Sequence, residues 1–365
     1  MRAARPKPYA RRDDRIATWV LGVSLLLIAA FFALTMWHVP YVVERPGPIV
    51  DTLGKAGSQQ IVEVKGEKSY TDDGHLYFTT VSVLGGPERH ISAWEWLQAK
   101  VDGDAVIVPE EQVFPKGATD AEVKEANVAA MEGSQQTAVA AGLRSVGQKV
   151  GQRNLVASIV DQSPADGKVE LKDEIRAVDG KSVNRVIDIV TAISDRSPGD
   201  PVKLTVKRGN AERTLTLTTA DIGGGRAGIG IGIEPVFDFP VEVRIHAGEV
   251  GGPSAGMMFG LATRDRLTPG SLTGGRSVAG TGTIDDSGWV GPIGGIRQKM
   301  VGAREGGAEY FLAPKGNCDE VVGHVPKGLT VVEVTDFDTA VRSVERIAKG
   351  DAAGLPDCST AAPKG

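Results

Sequence analysis

Two stretches of the chain carry residue types and spacings that could do chemistry. In the first, Gly251-Gly252-Pro253-Ser254-Ala255-Gly256 is followed by the apolar run Met257-Met258-Phe259-Gly260-Leu261-Ala262. Two glycines and a proline mark a tight turn. The apolar run reads as a helix, which places Ser254 at its first turn. Backbone N–H groups there lack intrahelical partners. With the positive end of the helix dipole, they suit negative charge developing on an oxygen. Ser254 is therefore either a helix cap, serine's commonest role at such a place, or a nucleophile with neighbouring backbone as its oxyanion site.

In the second stretch, Gly291-Pro292-Ile293-Gly294-Gly295 precedes Ile296-Arg297-Gln298-Lys299-Met300-Val301-Gly302-Ala303. Ile296, Met300 and Ala303 recur at the i, i+4, i+7 spacing of one helical face. Lys299 lies on that face, whereas Arg297 and Gln298 are expected to point away. Lys299 either snorkels from the edge of the stripe or is desolvated. Burial disfavours the charged form, so a desolvated lysine offers a neutral amine near neutral pH. Such an amine can take the proton of a serine hydroxyl, and Ser-Lys pairs are a variant of triad logic.

Together these motifs resemble the proteolytic domain of the Lon family of Ser-Lys endopeptidases, over roughly residues 226–347. The matching segments are Gly252-Pro253-Ser254-Ala255-Gly256 and Pro292-Ile293-Gly294-Gly295. The resemblance implies Ser254 as nucleophile and Lys299 as general base, supported by Gly252, Pro253 and Ala255. Between them, Gly280-Thr281-Gly282-Thr283-Ile284 is similar to the family's strand whose threonine hydroxyl positions the lysine. In that register the threonine is Thr281. The family also implies hexameric rings.

The chain departs from the ATP-dependent members in two ways. Gly251 stands where many have an acidic residue, and no ATPase module is legible. Gly180-Lys181-Ser182 looks like the end of a phosphate-binding loop, but Ile175 occupies the position that needs glycine. No nucleotide cofactor is expected, so substrates should be flexible segments, peptides or exposed tails rather than stable folds.

The chain has 365 residues, a formal charge of −5 and 41% hydrophobic residues, enough for a sizeable core. Two to three domains fit that length. The negative balance, without a dense basic run beyond the N-terminus, argues against a nucleic-acid partner. Residues 1–15 carry Arg2, Arg5, Lys7, Arg11, Arg12 and Arg15 against Asp13 and Asp14. Residues 16–37 then contain no charge, a length that crosses about 30 Å of hydrocarbon. Trp19 and Trp37 lie near its ends, where amphipathic rings favour the interface. A basic flank before the span predicts a cytoplasmic N-terminus with everything after residue 38 outside. A cleaved signal peptide is the competing reading; the run is long for one, and Thr35-Met36-Trp37-His38 offers no small-residue cleavage pattern.

Residues 38–133 read as a β-rich supporting region, with helices expected over residues 91–100 and 120–131. Trp94 and Trp96 do not share one helical face, and the sequence offers no functional account of them. Residues 134–221 read as a further helix followed by short strands around the helix at residues 186–194. The order of elements, with Ser163-Pro164-Ala165 and Val178-Asp179-Gly180-Lys181, resembles a bacterial-type PDZ domain. Such domains bind extended peptides by adding a strand to an exposed sheet edge. The edge is expected at Leu155, Val156, Ala157, Ser158 and Ile159. Gly151-Gln152-Arg153-Asn154 stands where a Gly-Leu-Gly-Phe-like carboxylate loop belongs.

The five histidines are scattered without metal-ligand spacing, so no metal is expected. His246, eight residues before Ser254, suggests a Ser-His pair, but the resemblance assigns the base to Lys299. Cys318 and Cys358 could pair in an exporting compartment, although Cys358 falls in a small polar tail, residues 348–365, that reads as flexible. The fold class is α+β multidomain: one transmembrane helix, the supporting region, a PDZ domain and a Lon-type proteolytic domain. The function this implies is ATP-independent serine endopeptidase activity, anchored in the cell membrane and acting on protein or peptide substrates outside the cytoplasm. The alternative is a non-catalytic PDZ scaffold that captures peptides at the envelope.

Overall fold

The computed structural model describes residues 11–362 apart from Asp72 and Glu249; Arg2, Arg5 and Lys7 of the expected basic tail lie outside them. The chain divides into two units, one of residues up to Pro46 with Val81–Val123, the other of Gly47–Thr80 with everything from Lys124.

In the first unit, helix Arg11–Met36 contains the apolar segment Ile16–Met36, of mean hydropathy 2.4, and none of that segment is buried. It is long and apolar enough to cross a membrane. The helix expected from residue 91 begins instead at Ala93, because Ile91-Ser92 pairs as a strand with His38-Val39. Ser92 and Glu95 exchange hydrogen bonds in a capping box that fixes this start. The two tryptophans have different neighbours. Trp94 meets Phe31 of the apolar helix edge-on at 5.2 Å, while Trp96 packs against the small core of Val43, Ile91 and Ala99.

Among the described residues, the second unit holds several two-stranded sheets and two large ones. In one, Thr330–Val334, Tyr310–Pro314, Ser277–Gly280 and the start of His75–Leu84 lie side by side in parallel. Successive strand residues face opposite sides, and both sides are covered, as parallel sheets require. Val278 and Leu312 face helices Gly256–Leu267 and Phe337–Ala348, with Phe259 against Phe78. Ala279, Phe311 and Ala313 face the helix Ile296–Glu305. The segment before residue 81 thus lends strands to this sheet, and Val62–Lys65 pairs with Glu242–Ile245.

The other sheet runs Ala211–Thr218, Pro201–Arg208, Glu174–Val178, Gly151–Ile159, Ile231–Asp238, all antiparallel. Helix Val186–Ser194 buries Ile189 and Ile193 against it. The last strand was not expected here: Ile231–Asp238 lies in the stretch assigned to the proteolytic domain, yet it pairs with Gly151–Ile159 along its whole length. Residues 151–154 are accordingly strand, not a carboxylate loop.

The helices expected at residues 120–131 and after 134 are one helix, Asp120–Ser145, so the expected boundary at 133/134 falls in its middle. Gly133 costs about 1 kcal/mol against alanine, too little to break a helix whose second half buries Met131, Ser134 and every residue from Thr137 to Leu143. Gly142 permits that burial, since a Cβ there would come within 2.6 Å of Thr263 on the helix Gly256–Leu267. The C-terminal segment is not a free tail. A disulfide joins Cys358 to Cys318, and Pro356 accepts a hydrogen bond from Glu333. Its polar composition hid an anchor supplied from forty residues upstream.

Candidate active site

The turn bearing Ser254 is built by backbone constraints that only its glycines satisfy. Gly252 has φ +84°, and a Cβ on Gly256 would stand 2.7 Å from Ser134 and 2.9 Å from Ile284. The long helix Asp120–Ser145 fastens the turn from outside. Asn127 O accepts from Gly252 N–H at 3.0 Å, and Ser134 Oγ donates to Pro253 O at 2.9 Å. Neither residue was singled out from the sequence, and no local spacing marks them; only the packing of a distant helix brings them here. The same packing explains Gly251, where a Cβ would lie 2.9 Å from Asn127 Cβ, so the helix occupies the space an acidic side chain would need.

Ser254 is not the cap of the following helix. That position is Ala255, with no side-chain capping bond, and Ser254 Oγ instead receives a hydrogen bond from Lys299 Nζ at 2.8 Å. Lys299 also donates to Thr281 Oγ1 at 3.1 Å, and Thr281 Oγ1 donates to Ser254 O at 3.0 Å. Gly282 N–H adds a second bond to that carbonyl at 2.8 Å. Lys299 is 3% exposed and Thr281 fully buried. Ser254, Thr281 and Lys299 thus converge from three separate segments.

Lys299 reaches this position from the buried face of its helix, with Ile296 and Met300 both inaccessible to solvent. Of the two residues expected to point away, Gln298 is in fact buried at 3% exposure, because this helix is covered on more than one side. Gly295, at φ +67°, starts the helix. The preceding turn is clamped by buried Asn317, which accepts from Ile293 N–H at 2.9 Å and donates to Ile293 O at 2.8 Å. Asn317 is a third positioning residue the sequence did not reveal. His246, by contrast, directs Nε2 toward Glu63 at 3.6 Å. Among the described residues no group of three or more His, Cys, Asp or Glu side chains could hold a metal ion.

In the second sheet the expected peptide edge is not free. Leu155, Val156, Ala157, Ser158 and Ile159 belong to a strand flanked on one side by Glu174–Val178 and on the other by Ile231–Asp238. Among the described residues, the sheet ends on Ile231–Asp238. Glycines lead into that terminal strand: Gly228-Ile229-Gly230, with Ile229 buried and Gly230 at φ +74°.

A parallel sheet carrying partly exposed Ser254 with buried Thr281 and Lys299, and a second, antiparallel sheet, are the two parts that family comparison identifies. Residues 229–346 match the Lon protease (S16) C-terminal proteolytic domain, and residues 135–219 match the PDZ domain. The chain carries segments matching both families. It is 30% identical over 181 residues to Lon protease 1 of Bacillus subtilis, an alignment covering 47% of this chain and 23% of that protein. It is 24% identical over 301 residues to Lon protease of Clostridioides difficile, covering 72% of this chain and 38% of that one. The chain therefore spans well under half the length of these relatives. Among solved structures, the PDZ domain of an SdrC-like protein from Listeria innocua is 30% identical, covering 22% of this chain and 92% of that one, with a TM-score of 0.21.

Proposed function

We propose that the protein is a membrane-anchored serine endopeptidase that works without ATP, with Ser254 as nucleophile and Lys299 as general base. The observation that carries this reading is the 2.8 Å contact between Lys299 Nζ and Ser254 Oγ, made by a buried lysine that Thr281 also holds. In the acylation step Ser254 Oγ bonds to the scissile carbonyl carbon while its proton passes to the neutral Lys299 amine. The tetrahedral intermediate collapses as the C–N bond breaks, and Lys299 returns the proton to the leaving amine. Water, deprotonated by the same amine, then attacks the acyl carbon; the carbon–Oγ bond breaks, the acid leaves, and Lys299 returns the proton to Ser254 Oγ. Gly252 N–H is committed to Asn127 and Gly256 N–H to Pro253. The oxyanion accordingly falls to the amides of Ser254 and Ala255 at the start of the helix.

ATP independence is supported by the one phosphate-loop-like segment, where Lys181-Ser182 forms a strand paired with Ala177-Val178 rather than a helix start. An uncleaved span over Ile16–Met36, N-terminus inside, is favoured by the basic residues before it. The Cys318–Cys358 disulfide fits an oxidising compartment outside the cytoplasm. For the PDZ domain we place peptide capture on the terminal strand Ile231–Asp238, whose outer side continues the sheet without a partner among the described residues. The ring assembly that the family resemblance implies belongs to the same proposal and is read by native mass spectrometry.

The deciding experiment incubates the full chain in detergent, wild type against Ser254→Ala and Lys299→Ala, with casein and no ATP, and reads fragments by mass spectrometry. Cleavage by wild type alone is expected. Equal cleavage by all three overturns the site, and silence of the wild type on casein and on casein-derived peptides favours the scaffold reading.

A further inference from the structure

Asp286 joins the two domains of the second unit at one point. It sits in the turn between Thr283-Ile284 and Val290-Gly291 and is 7% exposed. Its Oδ2 accepts two hydrogen bonds from the PDZ domain, from Gln152 Nε2 at 2.6 Å and from Val186 N–H at 2.7 Å. Arg144 Nη1 donates to the Asp286 carbonyl at 2.8 Å, and Arg144 Nη2 donates to Gln152 Oε1 at 2.8 Å. The Arg144 guanidinium also lies over the ring of Phe237, on the terminal PDZ strand.

The two sides of this joint lead to different places. Val186 opens the helix Val186–Ser194, so the Asp286 carboxylate completes that helix's N-terminus, where negative charge is favoured. In the other direction the hairpin holding Asp286 continues back into Gly282 and Thr281, which hold the Ser254 carbonyl. The two main apolar cores are separate, and a smaller apolar cluster of Val139, Leu143, Val150, Phe239, Val241 and Leu267 also links the domains. Beside the polar joint lies a cavity of about 840 Å³, lined among others by Arg144, Gln152, Arg185, Asp286 and Asp336. Next to open volume, the link from the PDZ helix Val186–Ser194 to the Asp286 hairpin runs through these directed polar bonds, whereas the apolar cluster includes no residue of either element.

We infer that Asp286 is a positioning residue that couples the PDZ helix Val186–Ser194 to the geometry of Ser254, so that events at the PDZ edge reach the proteolytic site through it. Its activity readout rests on the proteolytic reading; its structural readout does not.

The test uses the full chain in detergent as wild type, Gln152→Ala, Asp286→Ala, Asp286→Asn and the double alanine variant. In hydrogen-exchange mass spectrometry, Asp286→Ala should raise exchange in both residues 186–194 and 281–291, while residues 201–218 stay unchanged. A rise in only one of the two segments overturns the coupling. In casein-peptide kinetics, Gln152→Ala and Asp286→Ala should each lower kcat by roughly tenfold with KM unchanged, as for ångström-scale misplacement of a reacting group. The double variant should be no slower than Asp286→Ala alone, because the two residues form one link. Asp286→Asn, which keeps an accepting oxygen, should restore most of the rate. Additive losses, or a Gln152→Ala enzyme as fast as wild type, overturn the inference. If the wild type cleaves nothing, the proteolytic reading fails and the exchange result alone decides the coupling.

Discussion

Ser134 Oγ donates to the carbonyl of Pro253 at 2.9 Å, so the turn that presents Ser254 is held by a helix lying more than a hundred residues earlier in the chain. The bond fixes the peptide immediately before the nucleophile. Ser134→Ala removes one of two hydrogen bonds on that carbonyl, the Gly256 N–H remaining, at a cost of about 0.5–1.5 kcal/mol. The expected result is a kcat lowered on the order of tenfold with little change in KM, measured on casein-derived peptides. An unchanged kcat would show that Asn127 alone holds the turn.

Gly251 and Asn127 make a reciprocal pair. Gly251→Asp drives a Cβ to 2.9 Å from Asn127 Cβ, closer than such atoms approach without a shift. The variant should lose most of its activity. Asn127→Gly in the same background removes the obstructing atom and should return part of it. A fully active Gly251→Asp enzyme would mean the helix Asp120–Ser145 does not cover the turn during catalysis.

The Cys318–Cys358 disulfide closes a loop with a sequence separation of 40, worth about 4 kcal/mol in the chain-entropy account. Replacing both cysteines by serine should lower the melting temperature of the unit by roughly 5–10 °C, seen by calorimetry. Dithiothreitol should reproduce that drop in the wild type and leave the double-serine variant unmoved. Equal melting of all samples would place the tail's attachment in its other contacts.

In the PDZ domain, Asp173 is 1% exposed and accepts from Arg208 Nε at 2.8 Å and Nη2 at 2.7 Å. Burial, the largest single influence, raises its carboxyl, but the hydrogen bonds from Arg208 and the Glu170 N–H, together with the charges of Arg208 and Arg213, outweigh it and hold the carboxyl below the usual range. A depressed folded-state value contributes stability that is present above the unfolded value, near 3.9. That stability is lost as pH falls through the folded value. Arg208→Ala should cost about 3 kcal/mol at neutral pH, since it strands a buried carboxylate. Denaturant unfolding from pH 7 down to pH 2 should find the variant's deficit shrinking below pH ~4. A deficit constant with pH would assign Arg208's contribution to packing.

Ser254 and Lys299 of the candidate site stood out in the sequence because each sits in a local pattern with its own physical reason, whereas Thr281 was placed only by resemblance to the Lon family. Glycines and proline before an apolar run make a turn and a helix start, and a lysine three residues after Ile296 falls on a buried face whatever surrounds it. The apolar stretch before residue 37 and the helix Val186–Ser194 were legible for the same reason, since composition and period act within one element. Tertiary structure alone decided what these elements face. Ser254's cap and nucleophile readings differ only in where Oγ points, and that depends on Lys299, brought alongside from 45 residues away. The PDZ edge was misplaced because strand order is set by long-range pairing. Nothing local to Leu155 or Ile159 reveals that Ile231–Asp238 returns to cover them. Ser134, Asn127, Asn317 and Asp286 act through hydrogen bonds to backbone far away in sequence, and a hydrogen-bonding partner leaves no periodic trace. Local propensity wrote the elements of this protein; burial and long-range hydrogen bonding chose their neighbours.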